Sequence, residues 1–173
     1  SADYNFATFR KDVSRSDIVS AKFVKDTFAP SQTVNPTKNG LQTEWHEFPG
    51  IDCEKIAAAK LNATYHTADV IIPEGVKGNI GLITSGFIYI PADGIYTFIL
   101  TSDDGSDLFI DGAKVVDMNK EQSPQTEVGE KALKRGYHAI RVRYFDHNGG
   151  MLKLVVKNQK GEIMNPAEFY YCK

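Results

Sequence analysis

Basic charge is in short supply. Twenty lysines and arginines face twenty-two aspartates and glutamates, a formal net charge of −2. Nucleic acid and anionic membranes both need a basic footprint, so neither is an expected partner. No apolar run approaches the length that spans a bilayer, so membrane insertion is not expected either. Cysteine is scarce too. Cys53 and Cys172 are too few for a disulfide framework or a cysteine zinc site. A bridge between them would close a loop of more than one hundred residues and contribute about 4–5 kcal/mol in the chain-entropy model. Two buried free thiols are the alternative, and the sequence leaves both open. The chain opens Ser1-Ala2-Asp3-Tyr4, without a basic start or an apolar leader core. It therefore reads as mature or as excised from something longer.

Catalytic signatures are missing. The four histidines (His46, His66, His138, His147) show no HExxH-type or paired metal spacing. There is no G-x-S-x-G elbow. Neither cysteine sits in an activating context. No carboxylate pair stands out as acid and base. The glycines follow turns and do not form a phosphate-binding loop. The chain is long enough to bury a core unaided. At 173 residues, with 42% apolar and 24% charged residues, it fits one soluble globular domain with an appendage.

Short strand signals are what it has in quantity. Candidates are Tyr4–Phe9, Ile18–Val24, Thr64–Ile71, Leu82–Ile90, Ile95–Thr101, Leu108–Ile110, Val115–Met118, Glu127–Leu133, Tyr137–Phe145, Leu152–Lys157 and Glu168–Tyr171. Turn chemistry separates them, as at Pro91-Ala92-Asp93-Gly94 and Asn148-Gly149-Gly150. This spacing predicts an all-β antiparallel sandwich or barrel. Asp111-Gly112 predicts a tight hairpin, because that pair tolerates positive φ. Phe87, Tyr89, Tyr96 and Phe98 alternate with Ile88, Ile90, Ile95 and Ile99. Both faces are apolar, so these strands are expected to be buried on both sides. Ile140, Val142 and Tyr144 alternate with Arg141 and Arg143, one dry face and one wet.

One short helix is expected after Asp52, which can cap it, with Glu54 favouring its positive end and an Ala-rich stretch through Lys60. It should dock on an edge of the β-structure. Residues 29–39 are rich in Pro, Ser, Asn and Gln and read as a linker. Residues 1–28 hold two strand candidates. A lone hairpin is marginal in water, so they read as the closing strands of a preceding module or as an N-terminal extension. Residues 40–173 form the main domain. Asn62-Ala63-Thr64 is a formal glycosylation sequon.

The unusual constellation is Ser102-Asp103-Asp104-Gly105-Ser106-Asp107. Neighbouring side chains on a strand point to opposite faces. Asp103 and Asp104 can share a cation only if the backbone leaves strand geometry, as a non-proline cis peptide would allow. The ion would be hard and oxygen-loving, with calcium the natural candidate. Asp146 and Asn148, in the loop after the strand ending at Phe145, could add oxygens. The competing reading is an ordinary turn in which Asp and Ser bond their own backbone.

From Gly40 to Tyr171 the chain resembles the protective-antigen (PA-14) domain family, a β-barrel module of bacterial toxins, glycosidases and yeast adhesins. The resemblance rests on Gly40-Leu41 with Trp45 and Phe48, and on Ser85 through Phe98. It continues through Thr101-Ser102-Asp103-Asp104-Gly105-Ser106, Leu108 through Gly112, Leu133 through His138, Arg141 through Phe145, and Gly149 through Leu154. It closes around Pro166 and Phe169. Tyr4–Val24 resembles the closing strands of the small β-sandwich after the catalytic barrel in β-hexosaminidase-type enzymes.

The resemblance implies a non-catalytic carbohydrate-recognition module of a secreted glycoside hydrolase, periplasmic or extracellular, with its catalytic carboxylates upstream. It implies calcium at Asp103, Asp104, Asp146 and Asn148. It also implies a glycan, for instance one containing N-acetylglucosamine, at Asp103, Asp104, His147 and Asn148. The loop over Asp146–Met151 departs from the yeast adhesins: it is shorter, has Asp for Asn and lacks a stacking Trp. The alternative is a structural domain that packs on its parent enzyme, shaping the active-site entrance or spacing it from the cell surface.

Overall fold

A computed structural model describes residues 2–12, 14–23, 27–147, 149–164 and 168–172. The strands are β1 (Ala2–Phe6), β2 (Val19–Phe23), β3 (Lys38–Asn39), β4 (Leu41–Glu47), β5 (Lys60–Thr67), β6 (Ile80–Ile90) and β7 (Gly94–Ser102). They continue as β8 (Ser106–Ile110), β9 (Ala113–Met118), β10 (Gln125–Leu133), β11 (Gly136–Asp146), β12 (Leu152–Lys157) and β13 (Phe169–Tyr171). All pairings between these strands are antiparallel.

Two sheets enclose the core. The small sheet has the order β10-β7-β12. The large sheet runs β3-β13-β6-β11-β8-β9, with β4 and β5 added beside β6. Inward residues follow the period-2 rule: Phe98 and Leu100 of β7 meet Leu82 and Ile88 of β6, Val142 of β11 and Leu154 of β12 in one cluster. Each fully buried side chain of this kind contributes about 1.5–3 kcal/mol. β1 and β2 form a separate two-stranded sheet.

The tight hairpin is present. Asp111 and Gly112 have φ of 51° and 76°, the double positive φ that a right-twisted two-residue turn requires. Double-sided burial is not present. Ile88, Ile90, Tyr96 and Phe98 are buried, whereas Phe87 and Tyr89 are half-buried and Ile95 is exposed. The physical reason is that each sheet covers the other on one face only, so the outer apolar row keeps contact with solvent.

The helix is a 3₁₀ helix, Cys53–Ala58, and Asp52 caps it by accepting from the Glu54 amide at 3.0 Å. It lies on the outer face of the large sheet rather than on an edge. Ile56 and Phe48 sit over Gly81 of β6, where a Cβ would come within 2.9 Å and 2.7 Å of them. The expected Ala-rich continuation ends early, and Lys60 begins β5.

The Cys53–Cys172 bridge is not formed; both thiols are free. Cys53 is buried with Phe48, Ile56 and Phe145 above Gly81, while Cys172 is exposed beside Phe87. Gly81 and Phe87 are six positions apart on β6, about 20 Å at ~3.3 Å per residue. A disulfide needs Cα atoms within about 7 Å.

Residues 29–39 run along the barrel. The Ala29 amide donates to Ala132 and the Gln32 amide to Tyr137. Gln32 Nε2 also donates to Asp111 Oδ1 at 2.8 Å. Asp111 Oδ2 lies 2.6 Å from Nδ1 of His138, whose Nε2 lies 2.8 Å from the Lys134 carbonyl. A fully buried imidazole thus ties the tight hairpin to β11 and, through Asp111, to the N-terminal stretch.

Candidate functional site

Three connections cross between the sheets at one end of the barrel. β7 lies in the small sheet and β8 in the large one, so residues 103–105 make the first crossing. β9 to β10 makes the second and β11 to β12 the third. The register brings them together: Ser106 of β8 lies opposite Tyr144 of β11, and Ser102 of β7 opposite Leu152 of β12 and Gln125 of β10. A cavity of about 370 Å³ opens there, lined by Asp103, Asp104, Glu121, Gln122, Ser123, Asp146 and His147.

The Asp103-Asp104 segment is held from inside. Ser102 Oγ and Ser106 Oγ, both fully buried, share a hydrogen bond of 2.7 Å, and Ser102 Oγ donates to the Asp104 carbonyl at 3.1 Å. All described peptide bonds are trans, including Asp103–Asp104. The departure from strand geometry is a left-handed residue instead, Asp104 at φ 55°. Its amide donates to Asp103 Oδ1 at 3.1 Å and to the Gln122 carbonyl at 3.0 Å, and its own Oδ1 accepts from the Gln122 amide at 3.3 Å. The expected local Asp/Ser turn bonds are therefore present.

Asp146 is almost fully buried, and its Oδ2 accepts from the amides of Gly149 and Gly150 at 2.6 Å and 2.8 Å. At Gly150 a Cβ would fall 2.7 Å from Asp103 Cβ, 2.7 Å from Asp146 Oδ1 and 2.9 Å from the Tyr144 hydroxyl. A side chain there would fill the space between the two carboxylates. His147 Nδ1 stands 3.8 Å from Asp104 Oδ2. Asn148 lies outside the described residues.

The structure adds Tyr144 and Gln122 to the site. Among the described residues, the Tyr144 hydroxyl is buried without a hydrogen-bond partner, as is Gln122 Nε2. Burial raises the Tyr144 phenol above its ordinary range, and the carboxylates of Asp146, Asp103 and Asp104 raise it further. Tyr144 was legible as an inward residue two positions before Asp146. Gln122 comes from a loop with no local signal. Because the hydroxyl is buried without a hydrogen bond among the described residues, it carries an uncompensated desolvation penalty, and Tyr144→Phe is expected to raise stability by about 1–3 kcal/mol. Thermal unfolding checks this, and a loss of stability would mean that the hydroxyl carries a bond.

The donor set is all oxygen, which suits a hard cation. The carboxylates surround the cavity and do not converge: among the described residues, no three His, Cys, Asp or Glu side chains lie close enough together to hold a metal ion. Chemically the set fits calcium. As a ready-made chelate it is too wide.

A family model described as the PA14 domain matches residues 37–168. No curated protein matches the chain. Among solved structures, an anti-sigma factor domain-containing protein is 20% identical with a TM-score of 0.66, over 79% of this chain and 48% of that one. This chain thus spans about half of that protein. The PA14 sugar-binding domain from an RTX adhesin is 20% identical with a TM-score of 0.65, over 78% of this chain and 99% of that domain. A β-glucosidase from Kluyveromyces marxianus, in complex with glucose, is 17% identical with a TM-score of 0.55, over 69% of this chain and 15% of the enzyme. At these identities the likeness shows the fold.

Proposed function

The chain belongs to the PA14 domain family, and from that membership we propose that it is a non-catalytic carbohydrate-recognition module of a larger secreted protein. The observation that carries the reading is the acidic cavity where three sheet-crossing loops meet, with Asp103, Asp104 and Asp146 around the unpartnered Tyr144 hydroxyl. Asp103, Asp104 and Asp146 would have to draw together around calcium to hold it, with Asn148 proposed as a further oxygen donor. The ion would supply open positions to which sugar hydroxyls bind. His147 lines the cavity where a glycan would lie, and Asn148, the next residue in the sequence, is proposed to contact it as well. The similarity to a sugar-binding adhesin domain supports this use of the fold.

The parent is proposed to be a glycoside hydrolase. The β-glucosidase with a similar domain supports that class, and the resemblance of Tyr4–Val24 to a hexosaminidase-type sandwich narrows it. The glycan would then contain N-acetylglucosamine, and the location would be periplasmic or extracellular.

Calorimetry with calcium, followed by a glycan array with and without chelator, tests the reading. We expect one calcium per chain, with a Kd on the order of 10⁻⁴–10⁻³ M as in extracellular modules. Binding should be lost in the Asp103→Asn, Asp104→Asn double variant. No calcium heat and no glycan hits would sink the proposal.

A structural role in packing on a preceding module is the second reading. The exposed apolar side chains of the N-terminal hairpin favour it: Tyr4, Phe6 and Phe9 are 51%, 53% and 70% accessible. In the parent protein, deleting the domain should then change enzyme kinetics or stability; unchanged behaviour would count against it.

A further inference from the structure

The outer face of the large sheet carries a second concavity, remote in the fold from the acidic end. We propose that this groove of about 400 Å³ is a calcium-independent site for a carboxylated sugar ring, of the hexuronate type. The groove follows from register. Outward residues along β11 are Tyr137, Ala139, Arg141 and Arg143. Ala139 lies opposite Phe87 of β6, and Arg141 lies between Ser85 of β6 and Phe109 of β8. A small residue between two large ones leaves a trough whose walls are Phe87, Phe109 and Tyr171. Tyr171 is itself braced by stacking on His66 at 4.6 Å.

Charge identifies the occupant. Three cations approach the Phe109 ring: Arg141 at 4.7 Å, Arg143 at 5.0 Å and Lys114 at 5.7 Å. Arg143 is neutralised by Asp107 and Lys114 by Asp117. Arg141 is exposed and makes no ion pair among the described residues. Its guanidinium rests on an aromatic ring, which limits the freedom it would lose on pairing with a carboxylate. A purely apolar guest would desolvate that charge without compensation. A hexuronate satisfies each wall: its C–H face packs on the aromatic rings, its carboxylate pairs with Arg141, and its hydroxyls reach Gln42 and Ser85. The volume lies in the range of small-ligand sites, about 300–1,000 Å³.

Cys172 lines the same groove and is exposed, whereas Cys53 is buried, so alkylation with iodoacetamide reports on the groove. The rate is measured in chelator with millimolar digalacturonate or its uncharged methyl ester. The acid should slow Cys172 alkylation and the ester should not. Arg141→Gln should weaken protection about tenfold or more, the loss of one charge-assisted contact. Ala139→Leu, which fills the trough, should abolish it. Absence of protection, equal protection by acid and ester, or full protection in Arg141→Gln would each overturn the proposal. Because chelator is present throughout, the outcome is separate from that of the acidic site.

Discussion

Asp107→Ala should lower stability by about 3–5 kcal/mol, the usual consequence of leaving one member of a buried ion pair without its partner. Asp107 is fully buried on β8 and Arg143 is largely buried on β11, directly opposite it in the register. Arg143 Nε donates to Asp107 Oδ1 at 2.9 Å while its Nη2 donates to the second oxygen, so both carboxylate oxygens are used. Without the carboxylate, a guanidinium remains on the Phe109 ring with no acceptor. For a domain of this size the unfolding midpoint should fall on the order of 10 °C. Arg143→Lys should recover little of the pairing, since an ammonium cannot reproduce the two-pronged geometry. A midpoint within a degree or two of the parent's would show that the pair is neutral. Sequence alone makes Arg143 one of two arginines on a wet face, and the structure separates them: Arg143 is consumed by Asp107, and Arg141 is left to the groove.

Gly105→Ala should cost about 1–3 kcal/mol through overpacking. A Cβ at Gly105 would sit 2.1 Å from Cε1 and 2.5 Å from Cζ of Phe145, whose ring is fully buried. The backbone is also joined there, with the Phe145 amide donating to the Gly105 carbonyl at 2.9 Å. The ring cannot retreat freely, because it packs on Phe48 and Ile56 beneath the 3₁₀ helix. Any retreat would drag Asp146, the next residue, away from Asp103. A double-mutant cycle with Phe145→Leu isolates the clash. Gly105→Ala should be milder in that background, and additive losses would place the cost elsewhere. Ligand binding at the acidic end should fall along with stability.

Much of the fold was readable because β-sandwich sequences carry their punctuation locally. The strand from Leu152 to Lys157 falls where alternation places it, and Asp111-Gly112 turns as its chemistry requires. β4 escaped notice because Gln42-Thr43-Glu44 hides its inward side in threonine. Thr43 is fully buried and hydrogen-bonds Thr84 at 3.0 Å and Thr67 at 3.3 Å, a polar solution that no hydrophobic pattern reports. The apolar outer row of β6 misled in the other direction. Phe87 is half-exposed because the 3₁₀ helix covers the outer face at Gly81, six residues away, and not at Phe87, which walls a groove instead of a second core.

The sequence by itself determined the class of fold, the succession of strands from β6 to β13 and the identity of the acidic turn. Each of these depends on residues a few positions apart, and the two-residue period and turn conformations act over that range. Tertiary structure alone decided what else the turn faces. The family resemblance already groups Asp146 and His147 with Asp103 and Asp104, but Gln122 and the Tyr144 hydroxyl join them because three connections cross between sheets at the same end, a consequence of topology with no sequence-local trace. It also decided which cations are compensated, since Arg143 and Asp107 are 36 positions apart and meet only through the β8–β11 ladder. Pairing across strands sets such distances, and pairing is a property of the folded chain.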